Sequence, residues 1–199
     1  MTLPPSMVAI EMLEPGGPDV LQSATRPLPV LHDHEILVKV AAAGVNGPDL
    51  VQRRGHYPPP KGASDLLGLE VSGEVVAVGA KQTLWSVGDK LCGLTNGGGY
   101  AESVAIDATH CLPIPAGISL TDAAGLPETY FTVWSNVFFN QTLPKNGNFL
   151  VHGGAGGSGS TAIQLGAALG LSIYTTAADA DACTYCESLG AHHAINFNT

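Results

Sequence analysis

The feature that most restricts the possible folds is the glycine-rich stretch VHGGAGGSGSTAIQLGAALG at residues 151–170. Apolar residues typical of a strand precede it, a helical pattern follows it, and Gly154, Gly156 and Gly159 have the spacing G-x-G-x-x-G. Such glycines permit a tight turn, leave room for a pyrophosphate beside the main chain and let the helix pack closely on the strand. The free N–H groups and the dipole at the start of the helix then favour an anion. Without a ligand, the same residues would form only a tight turn.

We predict that this loop binds a dinucleotide, because a second strand–helix unit follows it along the chain. The stretch has no Gly-Lys-Ser/Thr ending, which excludes a mononucleotide P-loop. The loop residues that we expect to contact the cofactor are Gly153, Gly154, Gly156, Gly157, Ser158 and Gly159.

The C-terminal part of the chain alternates between strand and helix patterns. Strands are predicted at 148–153, 172–176 and 193–197, and helices at about 160–169 and 180–189. Strands separated by helices of this length are typical of βαβ units with a parallel sheet. A complete dinucleotide-binding fold has six strands in two halves, and this segment supplies three of them.

The first hundred residues have a different pattern. Apolar, β-branched runs at 36–40, 71–78 and 90–94 are separated by glycine and proline clusters, as in a β-barrel or sandwich. The pattern changes near Ser119, a predicted helix N-cap, and Pro127 is predicted to open a further helix. The sequence therefore predicts an α/β protein with a β-rich part, divided into domains at residues 1–125 and 126–199.

Charge and hydropathy limit the possible partners. Eight Lys and Arg against 17 Asp and Glu give a net charge of −9, which is unfavourable for binding nucleic acid or an anionic membrane. No apolar run reaches the length of a membrane span, and the N-terminal segment lacks the features of a signal peptide. Four cysteines in such a chain favour reduced thiols over a disulfide framework. We therefore expect a cytoplasmic protein that binds neither nucleic acid nor membrane.

Several motifs, in the same order along the chain, carry a family resemblance that runs from about residue 8 to residue 197. Besides the glycine-rich stretch they are GLEVSGEVVAVG (68–79), VGDKLCGL (87–94), GGYAE (98–102) and LPETYFTVWSNVF (126–138). With these motifs the chain resembles the zinc-free, ζ-crystallin-like quinone oxidoreductases of the medium-chain dehydrogenase/reductase superfamily. The resemblance implies a GroES-like β-barrel domain followed by a Rossmann sheet. It also implies an enzyme that transfers a hydride from NADPH to a quinone.

The resemblance also bears on metal binding. Zinc-using relatives bind their catalytic ion with a cysteine and a histidine, and the matching positions here are Asn46 and Leu69. Neither side chain replaces a thiolate or an imidazole on zinc, so no metal is expected there. A second candidate metal site is the group Cys183, Cys186, His192 and His193. Because both cysteines fall inside a predicted helix, the alternative is a pair of small residues packed against the sheet.

Three residues are candidates for the reaction itself. A quinone accepts a hydride readily, so hydrogen-bond donors and correct placement could replace a metal. The resemblance implies that Asn46 and Tyr57 line the cleft as catalytic residues, with Asn46 also near the cofactor, and that Thr132 lies near the nicotinamide. Alternatively, Asn46 is a turn residue, Tyr57 packs on proline and Thr132 is a buried helix hydroxyl. The neighbouring Arg53 and Arg54 are interpreted as solvated charges, with the alternative that either of them faces the cofactor.

The choice between NADP(H) and NAD(H) depends on the end of the second strand. Thr176 lies at its tip, so that the small Ala177 occupies the usual place of an acidic residue and leaves room for a 2′-phosphate. The resemblance implies NADPH, with Thr176 and Phe197 at the adenosine end. However, Phe197 stands where relatives have a tyrosine, and Asp179 is an acidic residue close by. We therefore expect NADP(H), with NAD(H) as the alternative.

Three functional alternatives remain open from the sequence. The first is reduction of a quinone, and the second is reduction of an enoyl or enone substrate by the same scaffold. The third is a catalytically silent nucleotide-binding protein. Because only half of the dinucleotide fold is present, we expect a fragment or truncated form that binds adenine nucleotides weakly and transfers hydride poorly. Relatives form homodimers, and the resemblance implies a homodimer for a full-length form.

Overall fold

The computed structural model describes residues 3–139, 143–144 and 146–199, and these residues form two compact units. The first unit comprises Met1–Glu128 and the second Thr129–Thr199. No helix among the described residues is long and apolar enough to cross a membrane.

The first unit is built on antiparallel sheets, in agreement with the predicted β-rich part. Its seven strands are β1 (Ser6–Met12), β2 (Leu21–Pro27), β3 (Glu35–Ala43), β4 (Glu70–Val78), β5 (Lys90–Leu94), β6 (Ser103–Asp107) and β7 (Cys111–Pro113). Five of them form one sheet in the order β6-β3-β4-β5-β7, whereas β1 pairs with β2. Short 3₁₀ turns at Pro18–Val20 and Ala108–His110 connect neighbouring elements.

The core of the first unit lies on the central strands β3 and β4. Alternate residues of each strand point to one face, and the apolar members of that face are fully buried. They include Ile36 and Val38 of β3 and Val71 and Val75 of β4, which pack with Leu91 of β5. Near its end β3 has an irregular register, since Val40 pairs with Gly73 and Ala42 with Ser72. Such a bulge bends the strand as it enters the loop of residues 44–46.

Short helices follow the sheet strands of the first unit along the chain. The helix α1 (Gly47–Arg53) begins directly after that loop, and α2 (Leu120–Ala123) follows the last strand. Ser119 caps α2, as predicted, by accepting a hydrogen bond from the Asp122 N–H. The helix α3 (Pro127–Val133) starts at the predicted proline and continues as one turn of π-helix, Trp134–Phe138.

The second unit has a parallel sheet with alternating helices, as predicted. Its elements are β8 (Asn148–Val151), α4 (Gly157–Ala168), β9 (Ser172–Ala177), α5 (Ala180–Ser188) and β10 (His193–Asn196). The strand order β10-β9-β8 places the second strand in the middle, as in the first half of a dinucleotide-binding fold. Ile163 of α4 and Cys186 of α5 are buried in one cluster with Ile173, so both helices cover the same face of the sheet.

One boundary in this unit differs from the prediction. The helix α4 starts at Gly157, three residues before the predicted start at Ser160. Gly156 is its N-cap, with extended backbone angles, and the Ser160 N–H already donates to the Gly156 carbonyl. The prediction was wrong because glycine has a low helix propensity, which tertiary packing overrides here.

Candidate functional site

The glycine loop is fixed to the neighbouring strand by hydrogen bonds to a single residue, Thr176. The Gly154 N–H donates to the Thr176 carbonyl at 2.9 Å, and the Gly153 N–H donates to Thr176 Oγ1 at 3.2 Å. Gly153 has a φ of +69°, a conformation that glycine adopts without strain. Thr176, predicted as a cofactor contact, therefore holds the first turn of the loop in place.

The three glycines of the motif have different surroundings. A Cβ at Gly154 would overlap Thr175 Oγ1 and lie 2.8 Å from Cys186 Sγ. One at Gly159 would overlap the Gly153 carbonyl oxygen and lie 2.7 Å from the Gly154 Cα. These two glycines are therefore required by packing inside the protein.

Gly156 has no such packing reason. A Cβ there would meet only the Gly153 carbonyl oxygen, at 3.4 Å, which is ordinary van der Waals distance. Gly156 is exposed, and its φ of −78° is available to any residue. The bare backbone at this position leaves space on the outer side of the loop, as close approach by a ligand requires.

The first turn of α4 adds hydrogen-bond donors beside that space. The N–H groups of Gly157, Ser158 and Gly159 precede the first helical hydrogen bond, which Ser160 makes. No acceptor is recorded for them in the part of the chain that the structure describes. Free N–H groups at the start of a helix favour a negatively charged ligand. The predicted loop residues therefore lie side by side, and the unbonded N–H groups of the first helical turn adjoin the exposed side of the loop at Gly156.

The adenosine end of the predicted site lies where β9 and β10 end. Ala177 is buried, and its carbonyl accepts a hydrogen bond from the Phe197 N–H at 3.1 Å. The Phe197 side chain is exposed. Asp179 caps α5, since its Oδ1 accepts from the Ala182 N–H at 2.8 Å. Its carboxylate therefore interacts favourably with the positive end of the α5 helix dipole. It also places a negatively charged group at this end of the sheet.

The first unit contains the other candidate, Asn46, at the N-cap of α1. Its N–H donates to Asp49 Oδ2 at 2.9 Å, and its side-chain Nδ2 donates to Glu70 Oε1 at 2.8 Å. Asp49 also accepts from the Gly68 N–H through Oδ1, at 3.1 Å. The main chain of Asn46 is extended at the helix N-cap rather than part of a turn, and its side chain is half-buried and held by a carboxylate.

Acidic groups are concentrated around Asn46. Glu70 is 2% exposed, and burial raises the pKa of its carboxyl against the opposing effect of hydrogen bonds from Glu128 N and Asn46. Burial likewise raises the pKa of Glu128, with the charges of Glu70 and Asp49 acting in the same direction. Burial, followed by the charge of Asp49, raises the pKa of the Tyr100 phenol. Burial in this cluster therefore makes ionisation of Glu70 and Glu128 less favourable than in water.

The remaining candidates lie in other surroundings. Tyr57 is exposed, in the loop that follows α1. Thr132 is exposed on α3, so the alternative of a buried helix hydroxyl is wrong. Arg53 was interpreted as a solvated charge, and this was also wrong: its side chain is 9% exposed and Nε donates to the Gly16 carbonyl at 3.1 Å. That bond ties α1 to the loop before Pro18, whereas Arg54 is exposed as expected.

The cysteines of α5 are packed as small helix residues. Cys186 is fully buried beneath the glycine loop, and Cys183 is half-buried in the same cluster. His192 Nδ1 accepts a hydrogen bond from the Ile173 N–H at 3.1 Å. Within residues 3–139, 143–144 and 146–199, no group of three or more His, Cys, Asp or Glu side chains is arranged to hold a metal ion.

The sequence did not reveal Glu70, Gly44 and Thr175 as parts of these sites. Thr175 is fully buried on β9 and donates to the Val151 carbonyl at 2.8 Å, beneath the glycine loop. Glu70 could have been found, because a carboxylate directly before the apolar residue Val71, at the start of the strand EVSGEVVAV, is unusual. The other two residues have no comparable signal in the sequence.

Comparison with known proteins supports this arrangement. Residues 32–116 match the alcohol dehydrogenase GroES-like domain. Quinone oxidoreductase from Mus musculus is 34% identical over 193 residues, which cover 96% of this chain and 58% of the relative. Escherichia coli quinone oxidoreductase complexed with NADPH superposes with a TM-score of 0.84 at 31% identity, over 96% of this chain and 59% of that one. CurK enoyl reductase superposes with a TM-score of 0.85 at 27% identity, over 97% and 60%.

A GroES-like unit followed by strands and helices around a glycine loop defines a class of two-domain dehydrogenases and reductases. The similarity of the chain, through the GroES-like match and through quinone oxidoreductases that match over 96% of it, lies within this class, the medium-chain dehydrogenase/reductase superfamily. Within it, the chain is related to the quinone oxidoreductases, and it spans 58% of the length of the mouse relative.

Proposed function

We propose that this chain carries the cofactor-binding and substrate-binding residues of a zinc-independent, NAD(P)H-dependent quinone oxidoreductase. The observation that carries the proposal is the bare backbone of Gly156 beside the open N–H groups of the first turn of α4. A diphosphate fits this arrangement, because it needs close main-chain approach and several N–H donors. Its contacts would be Gly153, Gly154, Gly156, Gly157, Ser158 and Gly159.

NADP(H) is the proposed cofactor, with NAD(H) as the alternative. The similarity to a quinone oxidoreductase crystallised with NADPH supports this choice. Thr176 and Phe197 would contact the adenosine end, where Ala177 carries no acidic side chain that would repel a 2′-phosphate. The negative charges of Asp179 and Asp181 favour NAD(H), because they would repel that phosphate.

When bound, the reduced nicotinamide supplies the hydride, and the residues of the chain bind and orient its acceptor. Asn46 uses one Nδ2 hydrogen internally and offers the other to the substrate carbonyl oxygen, where negative charge develops. The hydroxyl group of Tyr57 provides a second hydrogen-bond donor, and Thr132 contacts the nicotinamide end of the cofactor. For a full-length form, we propose a homodimer.

Nucleotide titration tests the cofactor site. ADP, NADPH and NADH would be titrated calorimetrically into the wild-type chain, Gly156→Ala and the control Gly17→Ala. A Cβ at Gly17 meets nothing within 4 Å, and its φ of −71° accommodates alanine. We expect Gly156→Ala to weaken binding by about tenfold, or about 1.4 kcal/mol, and Gly17→Ala to leave it unchanged. Equal affinities in all three proteins would contradict the proposed site.

Steady-state kinetics test the reaction. NADPH oxidation would be followed with a panel of quinones and of 2-enoyl thioesters, in a full-length form of the protein and in its Asn46→Ala variant. We expect quinone turnover that falls about 100-fold or more in the variant, because it loses one donor to the developing charge. The similarity to CurK enoyl reductase favours a second candidate, reduction of an enoyl substrate. Faster turnover of the thioesters than of the quinones would select that alternative.

A further inference from the structure

The carboxylate of Glu70 is buried at a position where burial is costly. It is 2% exposed at the start of β4, and the core residues Val71 and Val75 follow it on the same strand. Moving a carboxylate out of water is unfavourable unless it is paired or hydrogen-bonded. Within the described residues no basic side chain forms a salt bridge with Glu70; both oxygens accept hydrogen bonds instead.

The two bonds connect Glu70 to separate elements. Oε1 accepts from Asn46 Nδ2 at 2.8 Å, and Oε2 accepts from the Glu128 N–H at 2.9 Å, next to the start of α3. Gly44 provides the space, since a Cβ there would overlap Oε1 and lie 2.6 Å from the Glu70 Cδ. The Gly44 N–H also donates to the Glu70 carbonyl at 3.2 Å. Contacts with Glu128 and Gly44 therefore hold the carboxylate in place independently of its hydrogen bond to Asn46.

Asn46 in turn is held at two points. Asp49 accepts a hydrogen bond from its main-chain N–H, and Glu70 accepts one from its side chain. An amide group offers nitrogen donors on one side and an oxygen acceptor on the other. An ionised carboxylate only accepts, so it selects the orientation in which Nδ2 faces it.

We propose that Glu70 is the positioning residue of Asn46: its carboxylate fixes the side-chain amide so that the second Nδ2 hydrogen is presented to the substrate carbonyl oxygen. This role rests on the proposed function of Asn46, and it adds a residue that does not itself touch the substrate. Protonation of Glu70 would reverse the preference, because a carboxylic acid donates and would attract the amide oxygen. Asp49, Glu128, Tyr100 and Cys92 are the other titratable groups around this carboxyl.

The direct test is the NMR signal of the Asn46 side-chain amide in the 199-residue chain, assigned by its absence in Asn46→Ser. We expect the hydrogen bonded to Glu70 to resonate downfield of its partner and to exchange slowly with solvent. Both properties should be lost or reduced in Glu70→Gln, whose own side-chain amide can present a donor in place of an acceptor. Glu74→Gln is the matched control, because Glu74 is exposed on the same strand.

A pH titration of the wild-type chain provides a second measurement that needs no folded variant. We expect the two Asn46 amide signals to shift together with the Glu70 carboxyl carbon. Signals of Asn46 that are unaffected both by Glu70→Gln and by the ionisation of Glu70 would overturn the proposal.

Kinetics separate this proposal from the function on which it rests. If both hold, Glu70→Gln in a full-length form of the protein lowers kcat by about 10- to 100-fold with little change in KM, as expected for a misplaced donor. Unchanged kcat in Glu70→Gln would overturn the positioning role. Unchanged kcat in Asn46→Ala, together with the expected NMR changes, would overturn instead the role of Asn46 in the reaction.

Discussion

At the scale of single residues, the site around Asn46 depends on a glycine that is small enough to leave room for a buried carboxylate. Gly44 leaves the volume that the Glu70 carboxylate occupies, and Glu70 then accepts a hydrogen bond from Asn46. A glycine in this loop needs no unusual backbone angle, since Gly44 is not among the residues with positive φ. Glycine is therefore required at position 44 because a larger side chain would overlap the Glu70 carboxylate, and a substitution can test this requirement.

Gly44→Ala is expected to destabilise the chain by about 1–3 kcal/mol, because the added methyl group displaces a buried carboxylate from its hydrogen bonds. Gly47→Ala is the matched control: a Cβ at Gly47, three residues further on, meets nothing within 4 Å. Its stability should equal that of the wild type or exceed it by up to about 1 kcal/mol. Chemical denaturation would measure both variants, and equal losses in the two would contradict the argument.

The pH dependence of stability is a second test of Glu70. Burial raises the pKa of its carboxyl above the ordinary value of 4.5, so that the folded state binds the proton more tightly than the unfolded state. The resulting stabilisation is fully present below pH 4.5 and is lost as the pH rises through the folded-state pKa. Glu70→Gln cannot titrate. The unfolding free energy of the wild type minus that of the variant should therefore decrease as the pH rises from 4 to 8.

Urea unfolding at a series of pH values would measure this difference. The same comparison with Glu74→Gln should give a nearly constant difference, because the side chain of Glu74 is exposed. A difference between wild type and Glu70→Gln that increases with pH would contradict the direction of the pKa shift.

At the scale of elements, the glycine loop shows how one motif serves both folding and binding. Gly159 lets the first turn of α4 lie against the main chain of Gly153 and Gly154, whereas Gly156 faces open space. Thr176 on β9 accepts hydrogen bonds from the loop and fixes its course. Stability and ligand affinity should therefore respond to different glycines of the same motif.

Gly159→Ala is expected to lower the unfolding free energy by about 1–3 kcal/mol, since α4 would have to move away from the end of β8. Gly156→Ala should change it by no more than about 0.5 kcal/mol, because its Cβ makes only an ordinary contact. Thermal and denaturant unfolding of the chain without nucleotide would distinguish the two. A larger loss in Gly156→Ala than in Gly159→Ala would contradict this division of roles.

At the scale of the whole molecule, one face of the parallel sheet in the second unit carries exposed apolar side chains. The helices α4 and α5 cover the face that carries Ile173. On the opposite face, Leu150 of β8, Tyr174 of β9 and Ile195 of β10 are exposed. Contiguous exposed apolar side chains bind apolar probes and promote association.

The native chain should therefore enhance the fluorescence of the dye ANS, and Leu150→Lys combined with Ile195→Lys should reduce that enhancement. The control combines Leu13→Lys with Val30→Lys, which replaces two apolar side chains exposed in the first unit. It should leave the signal largely unchanged. Equal reductions by both double variants, at unchanged circular dichroism, would show that this face is not the principal apolar surface.

Much of the architecture was predictable from local sequence patterns. Alternation of strands and helices after residue 148 predicted the parallel sheet, and Ser119 and Pro127 predicted two helix starts. The helix start at Gly157 was missed, because glycine opposes helix formation unless a neighbouring strand fixes its position. The prediction for Arg53 was likewise wrong, since its hydrogen bond to the Gly16 carbonyl joins residues 37 positions apart.

The sequence alone determined the order of elements, the glycine loop and the type of fold, because each depends on residues that are close together along the chain. Only the tertiary structure decided which glycine faces open space and which carboxylate holds Asn46. Glu70 lies 24 positions from Asn46, and Thr176 lies 22 positions beyond Gly154. Contacts of this kind are made by packing between strands and loops, and no local pattern of residues encodes them.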